Sequence, residues 1–205
     1  MPSQSKRVFF DELVFLVDES VYEPAEDSFL SAENLDIKEG ERVLDMGTGC
    51  GILAITAAKK ASEVVAIDIN PYAIRCAKEN SALNNVRSKI VFVRGDLFAP
   101  LNEKAKFDVV LFNAPYLPAD DGEADSWLGR AWAGGATGRA LIDRFLPEAR
   151  KHLKPAGRIL MMQSTLANVE KTLTRFEECG MKASVSADAT APFFETITLI
   201  SAKRP

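Results

Sequence analysis

Two clusters in this sequence combine residue types and spacings that suit chemistry, and each follows directly on an apolar run. The first is Asp45-Met46-Gly47-Thr48-Gly49-Cys50-Gly51, three glycines at alternate positions behind an acid. Such a turn between a strand and a helix lets backbone approach a ligand at the carboxyl end of the strand, where open α/β sheets bind ligands. A dinucleotide fingerprint needs its third glycine one position later, and there the chain has Ile52. An acid in the turn would repel a pyrophosphate but tolerates a zwitterionic amino acid beside a sulfonium cation. Both groups belong to S-adenosylmethionine. Asp68 ends the next strand, 23 positions after Asp45 (68 − 45), where a carboxylate can take two vicinal ribose hydroxyls. Asp96, in Gly95-Asp96-Leu97-Phe98, follows the third strand and is placed to accept an exocyclic adenine N–H. A single loop aspartate is commonly a turn former or helix cap. Three at successive strand ends on one rim point to a cofactor.

The second cluster is Asn113-Ala114-Pro115-Tyr116, just past the apolar run Val109–Phe112. It resembles the Asn-Pro-Pro-Tyr motif of methyltransferases that modify planar amide or exocyclic amino nitrogens. The lone pair of such a nitrogen is delocalised, so the nitrogen attacks poorly unless it is oriented. The Asn113 side-chain oxygen and the Ala114 main-chain oxygen can accept its two N–H bonds, and Tyr116 can lie against the planar group. Orientation alone can supply several kcal/mol, roughly 7 or more in favourable cases. Ala114 replaces the usual proline: the carbonyl is kept, and a fixed φ is lost.

These residues need a frame. Arg7–Phe10 and Leu13–Val17 flank Asp11-Glu12 and read as a hairpin. A helix follows Glu23-Pro24, with Pro24 in its first turn and Phe29, Leu30, Ala32 and Leu35 as its apolar side. Strands are then expected over Arg42–Met46, Val64–Ile67, Lys89–Arg94, Val109–Phe112 and Arg158–Met162. Helices are expected over Gly51–Lys60, over Pro71–Leu83 with Asn70 as cap, over Ala140–Leu153 with a kink or break at Pro147, and over Ala167–Glu178. Lys154-Pro155-Ala156-Gly157 reads as a turn, and two strands near Lys182–Ala187 and Glu195–Ala202 close the chain. The alternation implies an α/β fold, a class I (Rossmann-like) methyltransferase fold. Its seven-stranded sheet is mostly parallel with one antiparallel strand, carries helices on both faces and has a small N-terminal hairpin. Residues 1–205 read as a single domain, 1–40 its hairpin and helix and 41–205 its core.

Apolar residues make up 47% and charged residues 26% of the chain, a globular balance that excludes disorder. No apolar run is long enough to span a membrane, and the N-terminus Met-Pro-Ser-Gln-Ser-Lys-Arg lacks the following apolar core of a secretory signal. The scattered cysteines Cys50, Cys76 and Cys179 argue against disulfides or a protein-built metal site and fit a cytoplasmic location. A net charge of −4 makes a nucleic-acid partner unfavoured. His152, the only histidine, suits a helix C-terminus and receives no catalytic role. Trp127 and Trp132 either close over the substrate or form a satellite cluster, and Arg139 either serves the site or opens a helix.

Taken together, the motifs resemble the HemK-related family of protein glutamine-N5 methyltransferases. Val21-Tyr22-Glu23-Pro24-Ala25-Glu26-Asp27-Ser28-Phe29 and Trp132-Ala133-Gly134-Gly135-Ala136-Thr137-Gly138-Arg139 resemble its archaeal and eukaryotic branch. The resemblance implies cofactor contacts at Ser28, Asp45, Gly47, Asp68, Asp96, Leu97 and Asn113. Gly49 and Gly51 belong to the same turn, and Asn113, Ala114, Pro115 and Tyr116 form the acceptor site. It implies a protein substrate, the Gly-Gly-Gln loop of a class I release factor, and a small zinc-binding activator subunit at the edge strand 89–94, where Phe92 is the expected contact. It also implies that the helical N-terminal domain of bacterial members is absent. Methylation of an exocyclic amine on an RNA or DNA base stays open as an alternative, since the same tetrapeptide serves both. So does a non-catalytic cofactor-binding module spoiled by Ala114.

Overall fold

The computed structural model describes residues 6–190 and 195–205. The first five residues, part of the stretch read as lacking a secretory signal, lie outside them. Strands β1 (Lys6–Phe10) and β2 (Leu13–Val17) pair antiparallel as the expected hairpin. A second sheet holds β3 (Arg42–Met46), β4 (Glu63–Asp68), β5 (Ile90–Arg94), β6 (Phe107–Asn113), β7 (Leu153–Ser164), β8 (Lys182–Thr190) and β9 (Thr196–Lys203). Its order is β5-β4-β3-β6-β7-β9-β8, and only β9 runs against its neighbours, as the sequence implies.

Continuous apolar runs build the central strands because both of their faces are covered. Val43, Val64 and Leu111 enter one core, while Leu44, Ile67 and Phe112 enter the other. Phe145 at the centre of the second core is fully buried, and trimming such a ring to alanine typically costs about 3–5 kcal/mol. Among the described residues no helix is long and apolar enough to cross a membrane.

The helices are α1 (Glu26–Glu33), α2 (Ile52–Ala58), α3 (Pro71–Leu83), α4 (Trp127–Arg130), α5 (Ala140–Ala149) and α6 (Val169–Glu178). Helix α3 has its expected bounds, with Asn70 Oδ1 accepting from the Tyr72 N–H. Five expectations need correction. Pro24 precedes α1, while the expected apolar side holds: Ala32 and Leu35 are buried in the first core, and half-buried Phe29 and Leu30 pack against it. Asp27 and Ser28 lie instead on a cavity wall, so that part of the helix is polar. Gly51 stands outside α2 as its N-cap, because its φ of +92° cannot continue a helix.

Helix α5 runs through Pro147 without a break, then tightens to a 3-10 turn over Arg150–His152, so Leu153 already lies in β7. Lys154–Gly157 is a bulge inside β7: the partner of Phe107 is Leu153, and the partner of Val109 is Arg158. Helix α6 starts at Val169, after a 3-10 turn and an Asn168 cap that accepts the Lys171 N–H. The loop after the tetrapeptide also contains α4, which periodicity missed because it is a single turn, capped by Ser126.

Candidate active site

Strand order brings the marked residues together. Asp68, the Gly95-Asp96-Leu97 segment and Asn113 end or follow β4, β5 and β6, and the glycine turn follows β3 between them. They line one cavity of about 460 Å³, within the usual range for small-molecule sites. Gly47, Gly49, Asp68, Asp96, Leu97, Ser28 and all four residues of the tetrapeptide are on its wall.

Asp45 and Gly51 are not, and each has a structural explanation. Asp45 is buried beneath the turn, where Oδ2 accepts from the Thr48 hydroxyl at 2.6 Å and from the Ala54 N–H at 3.1 Å. It therefore shapes the turn from behind. Its Oδ1 is buried with no partner, and burial raises the carboxyl pKa to about 7. At Gly51 a Cβ would stand 3.0 Å from the Ala77 Cβ, so this glycine serves the close approach of α3.

The turn is not a phosphate cradle. The N–H groups of Gly47 and Thr48 both donate to Ile67 O, at 2.8 and 3.0 Å, and the Gly49 N–H donates to Asp68 Oδ2 at 2.9 Å. A pyrophosphate needs such groups free. Asp68 Oδ1 also accepts from Asn70 N–H, so the carboxylate is fixed by one bond at each oxygen, and each oxygen keeps a lone pair. Burial raises the Asp68 pKa, and these backbone donors oppose the rise. On the adjacent wall Asp96 pairs with Arg144 at 2.6 Å, and Leu97 holds a φ of +46° that a side chain seldom adopts. A turn with its amides already occupied fits a nucleoside sulfonium better than a dinucleotide.

The acceptor side depends on a residue that sequence reasoning left without a role. Asp27 is buried, and all of its hydrogen-bond donors are neutral. Its Oδ1 accepts from Ser28 N–H at 2.6 Å and from the Tyr22 hydroxyl at 3.3 Å. Its Oδ2 accepts from Asn113 Nδ2 at 3.0 Å and from the Tyr116 hydroxyl at 3.3 Å. Asn113 lines the cavity, and its Oδ1 is left buried without a partner. Burial first, and then the Asp27 charge, push the Tyr116 phenol far above its ordinary pKa, so it stays a donor and cannot act as a base. The signal for Asp27 was its place directly before Ser28 in a segment carrying Tyr22.

Trp127, Arg130 and Trp132 also line the cavity, with the Arg130 guanidinium 5.0 Å from the Trp127 ring centre. Arg139 does not. It is buried between α5 and α6, donating to Ala167 O, Thr172 Oγ1 and Asp143. His152 holds Ala105 O through Nδ1 at 3.0 Å and stacks on Phe98, a packing role.

A family model for ribosomal protein L11 methyltransferase matches residues 27–114, which contain the glycine turn and both following acids. A protein of Methanocaldococcus jannaschii named "putative protein N5-glutamine methyltransferase" is 45% identical over 181 residues, 87% of this chain and 90% of its own. The chain belongs to the HemK-related protein glutamine-N5 methyltransferase family. The methyltransferase HEMK2 of Mus musculus is 32% identical, over 81% of this chain and 82% of that protein. Among solved structures, a chain of the E. cuniculi Mtq2-Trm112 complex, responsible for methylation of the eRF1 translation termination factor, superposes with a TM-score of 0.69. That match has 27% identity and covers 91% of this chain and 99% of the other. This member of the family is thus a methyltransferase using S-adenosylmethionine, on a class I fold.

Proposed function

We propose that this methyltransferase modifies the side-chain amide nitrogen of a glutamine in a protein, the Gly-Gly-Gln loop of a class I release factor. The observation that carries this reading is the Asn113 carboxamide: the residue lines the cavity, its nitrogen is tied to Asp27 and its oxygen is buried without a partner. A buried acceptor without a donor costs about 1–3 kcal/mol, which a substrate N–H recovers on binding. Asn113 Oδ1 takes one amide N–H and the Ala114 carbonyl takes the other, turning the nitrogen lone pair toward the methyl group. Tyr116, held by Asp27, presents its ring to the planar amide. Bound S-adenosylmethionine supplies an electrophilic methyl on a good leaving group, so positioning is the main task of the protein.

On the donor side, Asp68 takes the ribose hydroxyls, Asp96 and Leu97 meet the adenine, and Gly47, Gly49 and Ser28 border the rest. The relatives named above support the protein substrate, two of them by name a glutamine methyltransferase and a methylase of a termination factor. A small zinc-binding activator docks on β5, which lies at the sheet edge with Val91 exposed. Free Cys50, Cys76 and Cys179 are consistent with a reducing cytoplasm.

Incubation with methyl-labelled cofactor and separate pools of release factor, tRNA, rRNA and DNA tests the reading. Label on the release-factor glutamine is expected, and label confined to nucleic acid would reject it. Asn113→Ala should lose most turnover, on the order of 10²-fold, with cofactor affinity only modestly changed.

A further inference from the structure

The N-terminal hairpin has an open edge that no strand covers among the described residues. On β2 the backbone groups of Val14 and Leu16 face away from β1 and toward α3, and two asparagine side chains on that helix take them. Asn84 Oδ1 accepts from Val14 N–H at 3.0 Å, and its Nδ2 donates to Val14 O at 2.8 Å. One turn earlier, Asn80 Oδ1 accepts from Leu16 N–H at 2.9 Å, and its Nδ2 donates to Leu16 O at 3.0 Å. A pair of carboxamides at i and i+4 thus takes the place of a neighbouring strand.

Asn84 Nδ2 spends its further bond within the helix, on Asn80 O at 2.9 Å, whereas Asn80 reaches out of it. Its Nδ2 also donates to Cys50 O at 2.9 Å, inside the glycine turn. Asn80 is almost fully buried, and its partners settle which end of the amide points where, since both carbonyls can only accept. The Cys50 carbonyl belongs to the peptide leading into Gly51, whose missing side chain admits Ala77 of the same helix face. The hairpin in turn leads into Tyr22, Asp27 and Ser28, which form the acceptor wall.

We propose that Asn80 is a positioning residue that couples the cofactor turn to the N-terminal wall of the active site. Its single carboxamide joins the turn, α3 and β2, so ordering the turn around a ligand orders the hairpin as well. The inference rests on the reading of the turn at Gly47–Cys50 as part of the cofactor site.

The test compares Asn80→Ala with Asn84→Ala, using S-adenosylhomocysteine as the probe and calorimetry as the readout. Both variants remove a staple from β2, and only the first frees the turn. Asn80→Ala should raise the dissociation constant about tenfold, whereas Asn84→Ala should leave it within about twofold. Equal affinities in the two variants overturn the proposal. A second measurement needs no variant to fold: saturating S-adenosylhomocysteine should slow amide hydrogen exchange at Leu16 in the wild-type chain by about tenfold. Leu16 is not on the cavity wall, so unchanged exchange there also overturns the coupling. Failure of the wild-type chain to bind the probe at all would instead reject the cofactor-site reading itself.

Discussion

Asp27 Oδ2 stands 3.0 Å from Asn113 Nδ2, and this bond, with a longer one of 3.4 Å from the same nitrogen to Ser28 Oγ, sets the orientation of the Asn113 carboxamide. A carboxylate can only accept, so the amide nitrogen must face it and the oxygen is left on the other branch of the carboxamide, without a partner. The group that would bind substrate is therefore oriented before substrate arrives, by a residue 86 positions earlier in the chain.

Asp27→Asn tests that relationship. An asparagine there can present either a donor or an acceptor to Asn113, so the carboxamide loses its fixed orientation. Single-turnover methyl transfer is expected to slow on the order of 10²-fold, the usual cost of misplacing a reacting group. Cofactor affinity, measured separately, should stay within a few-fold. A rate close to wild type would mean that Asn113 is oriented by something other than Asp27.

The cofactor half of this site was far more legible in the sequence than the acceptor half. The apolar runs of β3, β4 and β6 announce strands buried on both faces, and the Asn70-Pro71 cap announces α3, so the rim follows from local rules. Asp27 escaped because helical periodicity reports the face that meets an apolar core, and α1 turns a polar face to a cavity. The orientations of Asp45 and Gly51 escaped for another reason. Spacing places an acid and a glycine in a turn, but whether they face ligand or scaffold depends on Thr48, Ala54 and Ala77 packing behind them.

Gly138 offers a separate handle on the acceptor wall. It holds a φ of +70°, and a Cβ there would overlap the main-chain oxygen of Tyr116. Gly138→Ala must shift the tetrapeptide as well as strain its own backbone, at a cost of about 1–3 kcal/mol. The expected signature is a lowered Tm together with a raised KM for the protein substrate. Binding of S-adenosylhomocysteine should change less than twofold, roughly 0.4 kcal/mol. A variant with wild-type KM would show that Tyr116 is insensitive to this contact.

The buried carboxyl of Asp45 predicts a pH dependence of stability for the ligand-free protein. Burial, opposed by the Thr48 and Ala54 bonds, lifts its pKa to about 7, above the unfolded value of about 3.9. Between these values the folded chain keeps a proton that the unfolded chain has released, so stability falls as pH rises through that window. The Asp68 pKa is raised as well and acts in the same direction. Glu41, Asp108 and Asp143 are lowered instead, so their contributions are lost only at more acidic pH. Thermal melts should give a Tm that drops between about pH 4 and pH 7, and Asp45→Asn should flatten that drop by on the order of 5 °C. An equally steep drop in the variant would assign the dependence to other groups.

Edge strand β5 bears on the activator. Phe92, the contact expected from sequence, is half-buried with the Arg87 guanidinium 5.2 Å from its ring centre, so it packs against its own protein. Val91 is the apolar side chain that faces outward, 48% exposed. Strand addition uses backbone groups for affinity and alternate side chains for fit, so a charge at Val91 opposes docking without disturbing the core. Val91→Asp should abolish co-purification with the activator while leaving the Tm of the isolated chain within about 2 °C, as expected for a surface change. Phe92→Asp should lower the Tm as well, because it buries a charge. Unchanged co-purification of the Val91 variant would place the activator elsewhere than on this edge.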